Sequence, residues 1–329
     1  MDSCDNSNSF IFQAIDWRLK QIKDGEDDTE ETIIQVFGRT KNNETVYIEI
    51  KNFVFSFYIK KVDDYKKSLK YYLYKEEYKK QIYIDKNFKR LKDFYYFNGE
   101  KNEDFIKVNS KNYNLLSNFG YYVNDDKKKK PKDIINFQTY NKGKDAFIQF
   151  YHEKNIKPCG WIKIENYKKL SSNLTFSDYN YSVDWKDVES IENDDITGFK
   201  LCAYDIECIS FDDSFPLASR ETDEIVSIAC TISQLGNNEI IYKCIILTKE
   251  CPKIKGIDVF VCRNESELIL KFCEVIRKQD PDFITGWNNF GFDDEYIHNR
   301  AVLLKIDNRI NFSRFRFSKS KFREGVKLS

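Results

Sequence analysis

Past Gly198 the chain takes on a pattern that few folds accommodate. Three strand-length apolar runs, at residues 200–206, 224–233 and 240–247, are followed by helix, strand and helix. Asn264 and Glu267 have the spacing of a capping box and open a helix with Leu268, Phe272, Val275 and Ile276 on one face. Asp280-Pro281 ends that helix. Residues 282–285 read as a short buried strand broken by Gly286, and a second helix puts Tyr296, Ile297, Ala301 and Leu304 on one side. Strands followed by helix, strand and helix make a layered α/β domain. The polar, acidic stretch 191–198 is the natural boundary, dividing the 329 residues into domains 1–197 and 198–329, in keeping with about 150 residues per domain.

Ahead of that boundary the reading is β-rich α+β. Residues 10–17, 32–38, 45–50 and 53–59 read as strands, with Lys41-Asn42-Asn43 as a hairpin turn. Residues 63–80 put Tyr65, Leu69, Tyr72 and Leu73 on one helical face among six lysines and five tyrosines. Lysine meets phosphate and tyrosine stacks on bases, so the segment reads either as a nucleic-acid contact or as an amphipathic helix with a solvated face. Lys127 to Lys130, before Pro131, read as an exposed loop.

Composition removes other classes. Hydrophobic residues make up 41% and charged residues 32%, as in globular proteins rather than disordered ones. No apolar run approaches the ~18 residues of a membrane span, and the amino terminus MDSCDNSNSF has no signal-peptide character. Nine cysteines without any C-x-x-C argue against a zinc site or disulfide framework and for a reducing, intracellular setting. With two histidines, His-based catalysis has little material. Fifty-three basic and fifty-three acidic residues leave net charge silent about nucleic acid.

The chemistry-bearing residues are carboxylates. Asp205-Ile206-Glu207 ends the strand LCAYDIE, and residues two apart on a strand face the same way. Two adjacent like charges are costly unless a cation neutralises them, and hard oxygens suit Mg²⁺ or Mn²⁺; the alternative is a solvated acidic pair. A second cluster, Ile284 to Asp293, runs from strand through loop into helix. Asn288 offers an amide, Phe292 an inward anchor, and Asp293 a carboxylate in a helix's first turn, where simple capping competes with metal binding. A metal pair held by such carboxylates cleaves a phosphodiester with metal-activated water and needs no protein nucleophile.

YDIEC at 204–208 resembles the first exonuclease motif of the family B DNA polymerases, and ITGWNNFGFDDEYIHNRA at 284–301 resembles their second, N-x-x-x-F-D. KRLKDFYYFNGEKNEDFIKV at 89–108, NIKPCGWIKI at 155–164 and DYNYSVDW at 178–185 resemble the amino-terminal domain of delta-type and large-DNA-virus members, so the similarity spans roughly residues 10 to 305. The resemblance implies an RNase H-like fold, 3′→5′ proofreading on the single-stranded primer 3′ end, and two divalent metals, Mg²⁺ or Mn²⁺. By position, Asp205, Glu207 and Asp293 are then catalytic metal ligands. Asn288 contacts the terminal nucleotide. Phe292 lies beside it as packing, and Arg300 either reaches a phosphate or forms a helix-face salt bridge. Tyr204 and Trp287 are expected in the core, and Asp294 and Glu295 at the surface.

The third exonuclease motif, Tyr-x-x-x-Asp, has no match in residues 307–329, and the polymerase core Tyr-x-Asp-Thr-Asp is absent. The expectation is an incomplete RNase H-like exonuclease domain, inactive alone. A second polypeptide, or a further carboxy-terminal part carrying the third motif and the polymerase domain, would complete it. Localisation is expected in the host cytoplasm or nucleus if the source is viral. Two alternatives stand beside this: a catalytically inactive nucleic-acid-binding remnant, and a free-standing exonuclease recruiting Asp212, Asp213 or Asp223, which otherwise read as surface loop. The tail, residues 309–329, has seven basic residues and four phenylalanines; it reads as a DNA contact or as a segment that packs on absent sequence.

Overall fold

The computed structural model describes residues 9–23, 29–85, 89–92, 102–127, 129–171, 174–212, 214–318 and 320. The end of the basic tail and Asp213 lie outside the described residues. The chain forms two compact units, residues 1–38, 46–170 and 179–193, and residues 39–45, 171–178 and 194–329. Along the first unit run β1 (Ser9–Lys23), β2 (Glu30–Arg39), β3 (Thr45–Lys51), β4 (Phe55–Lys60), α1 (Tyr65–Tyr72), α2 (Glu76–Gln81), β5 (Tyr83–Ile84) and β6 (Lys89–Lys92). There follow β7 (Asn102–Ser110), α3 (Tyr113–Val123), β8 (Thr139–Tyr140), α4 (Ala146–Lys154), β9 (Trp161–Glu165), β10 (Lys168–Lys169), β11 (Tyr179–Asp184) and β12 (Val188–Ile191).

Seven of these strands form a sheet in the order β10-β11-β3-β2-β1-β9-β12, and a second sheet orders β5-β7-β4-β8 with β6 beside β7. β2 and β3 are nearly all buried, which the hydrophobic runs Thr32–Phe37 and Val46–Ile50 permit. Aromatic edges fill the core: Phe53 meets Phe55, Phe150 and Trp185 at ring centroids 4.9, 5.1 and 5.4 Å apart, all edge-on, the geometry ring quadrupoles favour. The single helix expected over 63–80 is two. α1 ends at Leu73, Tyr74 is solvent-exposed, and Lys75 in extended conformation starts α2. Leu69, Tyr72 and Tyr78 are buried in the hydrophobic core, so the two tyrosine rings serve packing.

The second unit holds β13 (Lys200–Cys208), β14 (Ile225–Gln234), β15 (Asn237–Leu247), β16 (Asp258–Val261), α5 (Glu265–Gln279), β17 (Phe283–Thr285) and α6 (Asp293–Leu303). Its sheet runs β16-β15-β14-β13-β17, mixed parallel and antiparallel. Asn264 caps α5 by accepting from the Glu267 amide at 2.9 Å, while Glu267 accepts from the Arg263 amide at 2.9 Å, one residue earlier than the usual box. α5 buries Leu268, Phe272, Val275 and Ile276, as its spacing predicts. β17 is a correction: the strand expected to be buried is exposed at all three residues, because β13 flanks it on one side and no described strand on the other. Among the described residues no helix is long and apolar enough to cross a membrane.

Candidate active site

Alternation along β13 places the first two carboxylates. Cys202, Tyr204 and Ile206 are buried, and Asp205 and Glu207 are exposed on the opposite face. β17 runs parallel to β13, pairing Phe283 to Thr285 with Leu201 to Ala203. Parallel strands deliver their carboxyl ends to the same edge of the sheet, so the chain leaving Thr285 continues beside Tyr204 to Glu207.

There the loop bonds to β13 through side chains. Asn289 is buried and donates from Nδ2 to the Tyr204 carbonyl at 3.2 Å. Asp293, 3% exposed, accepts the Ile206 N–H on Oδ1 at 3.1 Å. The amide it takes lies between Asp205 and Glu207. Gly286 permits this approach, since a Cβ there would stand 2.0 Å from Asn289 Oδ1 and 2.3 Å from the Tyr204 carbonyl oxygen.

Burial pushes the Asp293 carboxyl above its ordinary range, and the charges of Asp205 and Asp294 add to the shift against the Ile206 hydrogen bond. Asp294 takes the Tyr204 hydroxyl rather than standing free at the surface. The donor set of hard carboxylate oxygens, with Asp293 opposed by the Asp205 charge, suits a divalent cation in chemistry. In geometry it is open. Among the described residues no three His, Cys, Asp or Glu side chains converge closely enough to hold a metal.

The remaining sequence candidates separate. Asn288 is exposed in left-handed conformation, φ 57°. Phe292 is partly buried, its ring 5.4 Å from Phe215 and 5.1 Å from Tyr296. Arg300, one of the expected nucleic-acid contacts, is 1% exposed and does not reach the surface. Its Nε donates to Glu265 Oε1 at 2.7 Å, its second nitrogen bonds Glu265 Oε2, and the guanidinium also holds the carbonyls of Ala218 and Arg220. It fastens the loop after β13. Trp287, expected in the core, is 91% exposed. Asp223, expected on a surface loop, is buried and accepts the Leu217 N–H at 2.9 Å, while Asp212 is exposed and pairs with Arg220. Asn289 had no place in the sequence reading, and Asp294, expected at the surface, is partly buried on Tyr204.

Residues 137–328 match the family described as DNA polymerase family B, exonuclease domain. The DNA polymerase of Acanthamoeba polyphaga mimivirus is 32% identical over 94% of this chain and 19% of its own length. The DNA polymerase delta catalytic subunit of Arabidopsis thaliana is 25% identical over 98% of the chain and 32% of its own length. The family B DNA polymerase of the archaeon Pyrobaculum calidifontis shares the fold, with a TM-score of 0.60 at 18% identity, over 94% of this chain and 34% of that one. The chain thus spans 19% to 34% of the length of these relatives.

Proposed function

Because the chain belongs to family B of the DNA polymerases, carrying its exonuclease domain region, we propose that its second unit contributes the carboxylates of a 3′→5′ proofreading site acting on the single-stranded primer end during DNA replication. The observation that carries this is the Asp293–Ile206 hydrogen bond, which fixes the buried carboxylate of the second motif on the backbone amide that lies between Asp205 and Glu207 in the first. Residues 1–197 are taken as the family's amino-terminal domain and 198–329 as the exonuclease region, working inside the cell.

Asp205, Glu207 and Asp293 would hold Mg²⁺ or Mn²⁺. A bound divalent ion supplies activated water and charge neutralisation at the scissile phosphate. The rest is the protein's own work. Asp293 is fixed in place by the Ile206 amide. Asn288, exposed at the turn into α6, would offer its amide to the terminal nucleotide. Phe292 packs the helix start. Arg300, anchored by Glu265, steadies the loop that follows the carboxylate strand through its carbonyls.

The chain's share of its relatives' length supports a further part of this reading: a longer polypeptide or a partner would bring the third motif and the polymerase core. The second reading is a nucleic-acid-binding module without catalysis.

Cleavage of a 3′-labelled single strand with Mg²⁺ or Mn²⁺ tests both. The chain, and the chain mixed with a polypeptide carrying the third motif, are compared with Asp205→Ala and Asp293→Ala. Metal-dependent cleavage that drops by about a hundredfold or more in each variant is expected. Cleavage unchanged by both substitutions would remove these carboxylates from the reaction. Salt-sensitive binding with no cleavage in either mixture would leave the binding module.

A further inference from the structure

The core of the second unit is unusually rich in thiols. Cys202, Cys230, Cys244, Cys262 and Cys273 are all buried in it. Three stand on adjacent strands, Cys202 on β13, Cys230 on β14 and Cys244 on β15. Cys230 and Cys244 are directly opposed in the antiparallel β14–β15 ladder, and their sulfurs are 3.0 Å apart. Directly opposed residues of an antiparallel pair have Cα atoms about 4.5–5.5 Å apart, inside the range of about 4.4–6.8 Å that a disulfide spans. Cys202 is the neighbouring alternative, close enough to Cys230 to raise that thiol. It is opposed to Ile232, however, which makes it a diagonal neighbour of Cys230. Diagonal pairs lie about 7–8 Å apart, beyond what a bridge crosses without backbone movement.

We propose that Cys230 and Cys244 form a buried dithiol site for two-electron oxidation by a small peroxide, closing to a cross-strand disulfide in the sheet that carries Asp205. Peroxide oxidises one thiol to a sulfenic acid, and its O–O bond breaks with release of one water. The second sulfur then displaces the sulfenic oxygen, the S–S bond forms, and a second water leaves. Two thiols and one hydrogen peroxide give one disulfide and two waters, with both electrons passing from the sulfurs to the peroxide oxygens. The pair is covered by α5, which packs on both strands, so a small uncharged oxidant is the class that reaches it. Cys230 is paired across the ladder with Tyr204, the residue before Asp205. The bridge would therefore tie β15 to the strand beside the carboxylates.

The test is peptide mapping of the whole chain after hydrogen peroxide, with remaining thiols alkylated in denaturant. Lys243 lies between the two cysteines, so trypsin separates them unless they are joined. The expected product joins the two peptides, is two hydrogens lighter than their sum, and is released by a dithiol reductant. Exposed Cys159 reports that oxidant was present. Oxidised Cys159 with Cys230 and Cys244 both recovered alkylated would overturn the proposal, and so would a Cys202–Cys230 bridge. Cys244→Ser should abolish the joined peptide while Cys202 stays reduced; if that variant does not fold, the wild-type map decides alone.

Discussion

The two units stabilise themselves by different means. Among the described residues, the first buries one carboxylate, Glu49, which accepts from the Tyr47 hydroxyl at 2.9 Å and from Lys20 at 3.2 Å. Its other buried polar side chains, such as Gln13, Thr32, Gln35 and Asn112, are neutral, and its hydrophobic core is heavily aromatic. The second buries Arg39, Asp223, Glu265, Asp293 and Arg300, beneath a core of isoleucine and cysteine. Arg39 Nε meets Asp282 at 2.6 Å, Arg314 meets the other oxygen of Asp282 at 2.6 Å, and Arg300 meets Glu265. Edge-on aromatic packing fills the space beneath a wide β scaffold. Buried ion pairs add little net stability but fix angles, and loops hung on them keep their places. The unit with the candidate site is the one that uses them.

Arg300→Met should break this contrast most severely. It strands the Glu265 carboxylate in the core and releases the loop carbonyls, at a cost of about 3–5 kcal/mol, read from urea denaturation. Replacing Glu265 with Leu in the same chain should restore much of that loss if the pair serves position rather than stability, and no recovery would contradict that role. Gly286→Ala comes next, at about 1–3 kcal/mol, because its methyl group meets the Tyr204 carbonyl and the Asn289 amide. Ile106→Val, a comparable small change in the aromatic unit, should cost about 1 kcal/mol, and a larger cost would show that unit to be as exacting as the other. Asn264→Ala removes the α5 cap for about 1 kcal/mol, seen as earlier thermal melting.

The smallest effect turns on pH. Asp293 is an acid whose native pKa is raised, so the folded chain holds its proton more tightly than the unfolded chain. Its contribution favours folding at low pH and is lost as pH rises through the ordinary carboxylate value to the raised one. In chelator, Asp293→Asn should therefore gain stability at neutral pH and show no gain in acid. A gain that persists in acid would mean that charge is not the cause.

Much of the second unit could be read from sequence because its signals are local. The alternation that buries Tyr204 and Ile206 and exposes Asp205 and Glu207 needs only period two, and the α5 cap needs only Asn264 and Glu267 in register. What could not be read depends on partners far along the chain. Arg300 looks like a surface helix residue until Glu265 is brought to it, and Trp287 looks like a core residue until β17 proves to be an edge. The seven-strand order, with β11 parallel to β3, was beyond local pattern for the same reason, since 133 residues separate Thr45 from Asp178, the hydrogen-bonded pair at the start of those strands.

β17 stops opposite Ala203, yet the next two polar groups along that edge of β13 do not go unpaired. The Tyr204 carbonyl receives an amide hydrogen and the Ile206 amide finds an oxygen, just as a longer β17 would have supplied, but both come from side chains, Asn289 and Asp293. The motif loop thus continues the ladder in side-chain form. Its carboxylate is set by the same repeat that spaces peptide groups along a strand, so a slip of one residue in β13 would misplace the acid and leave two backbone groups dry and unbonded. Folding the edge of the sheet and aligning the acid are one event.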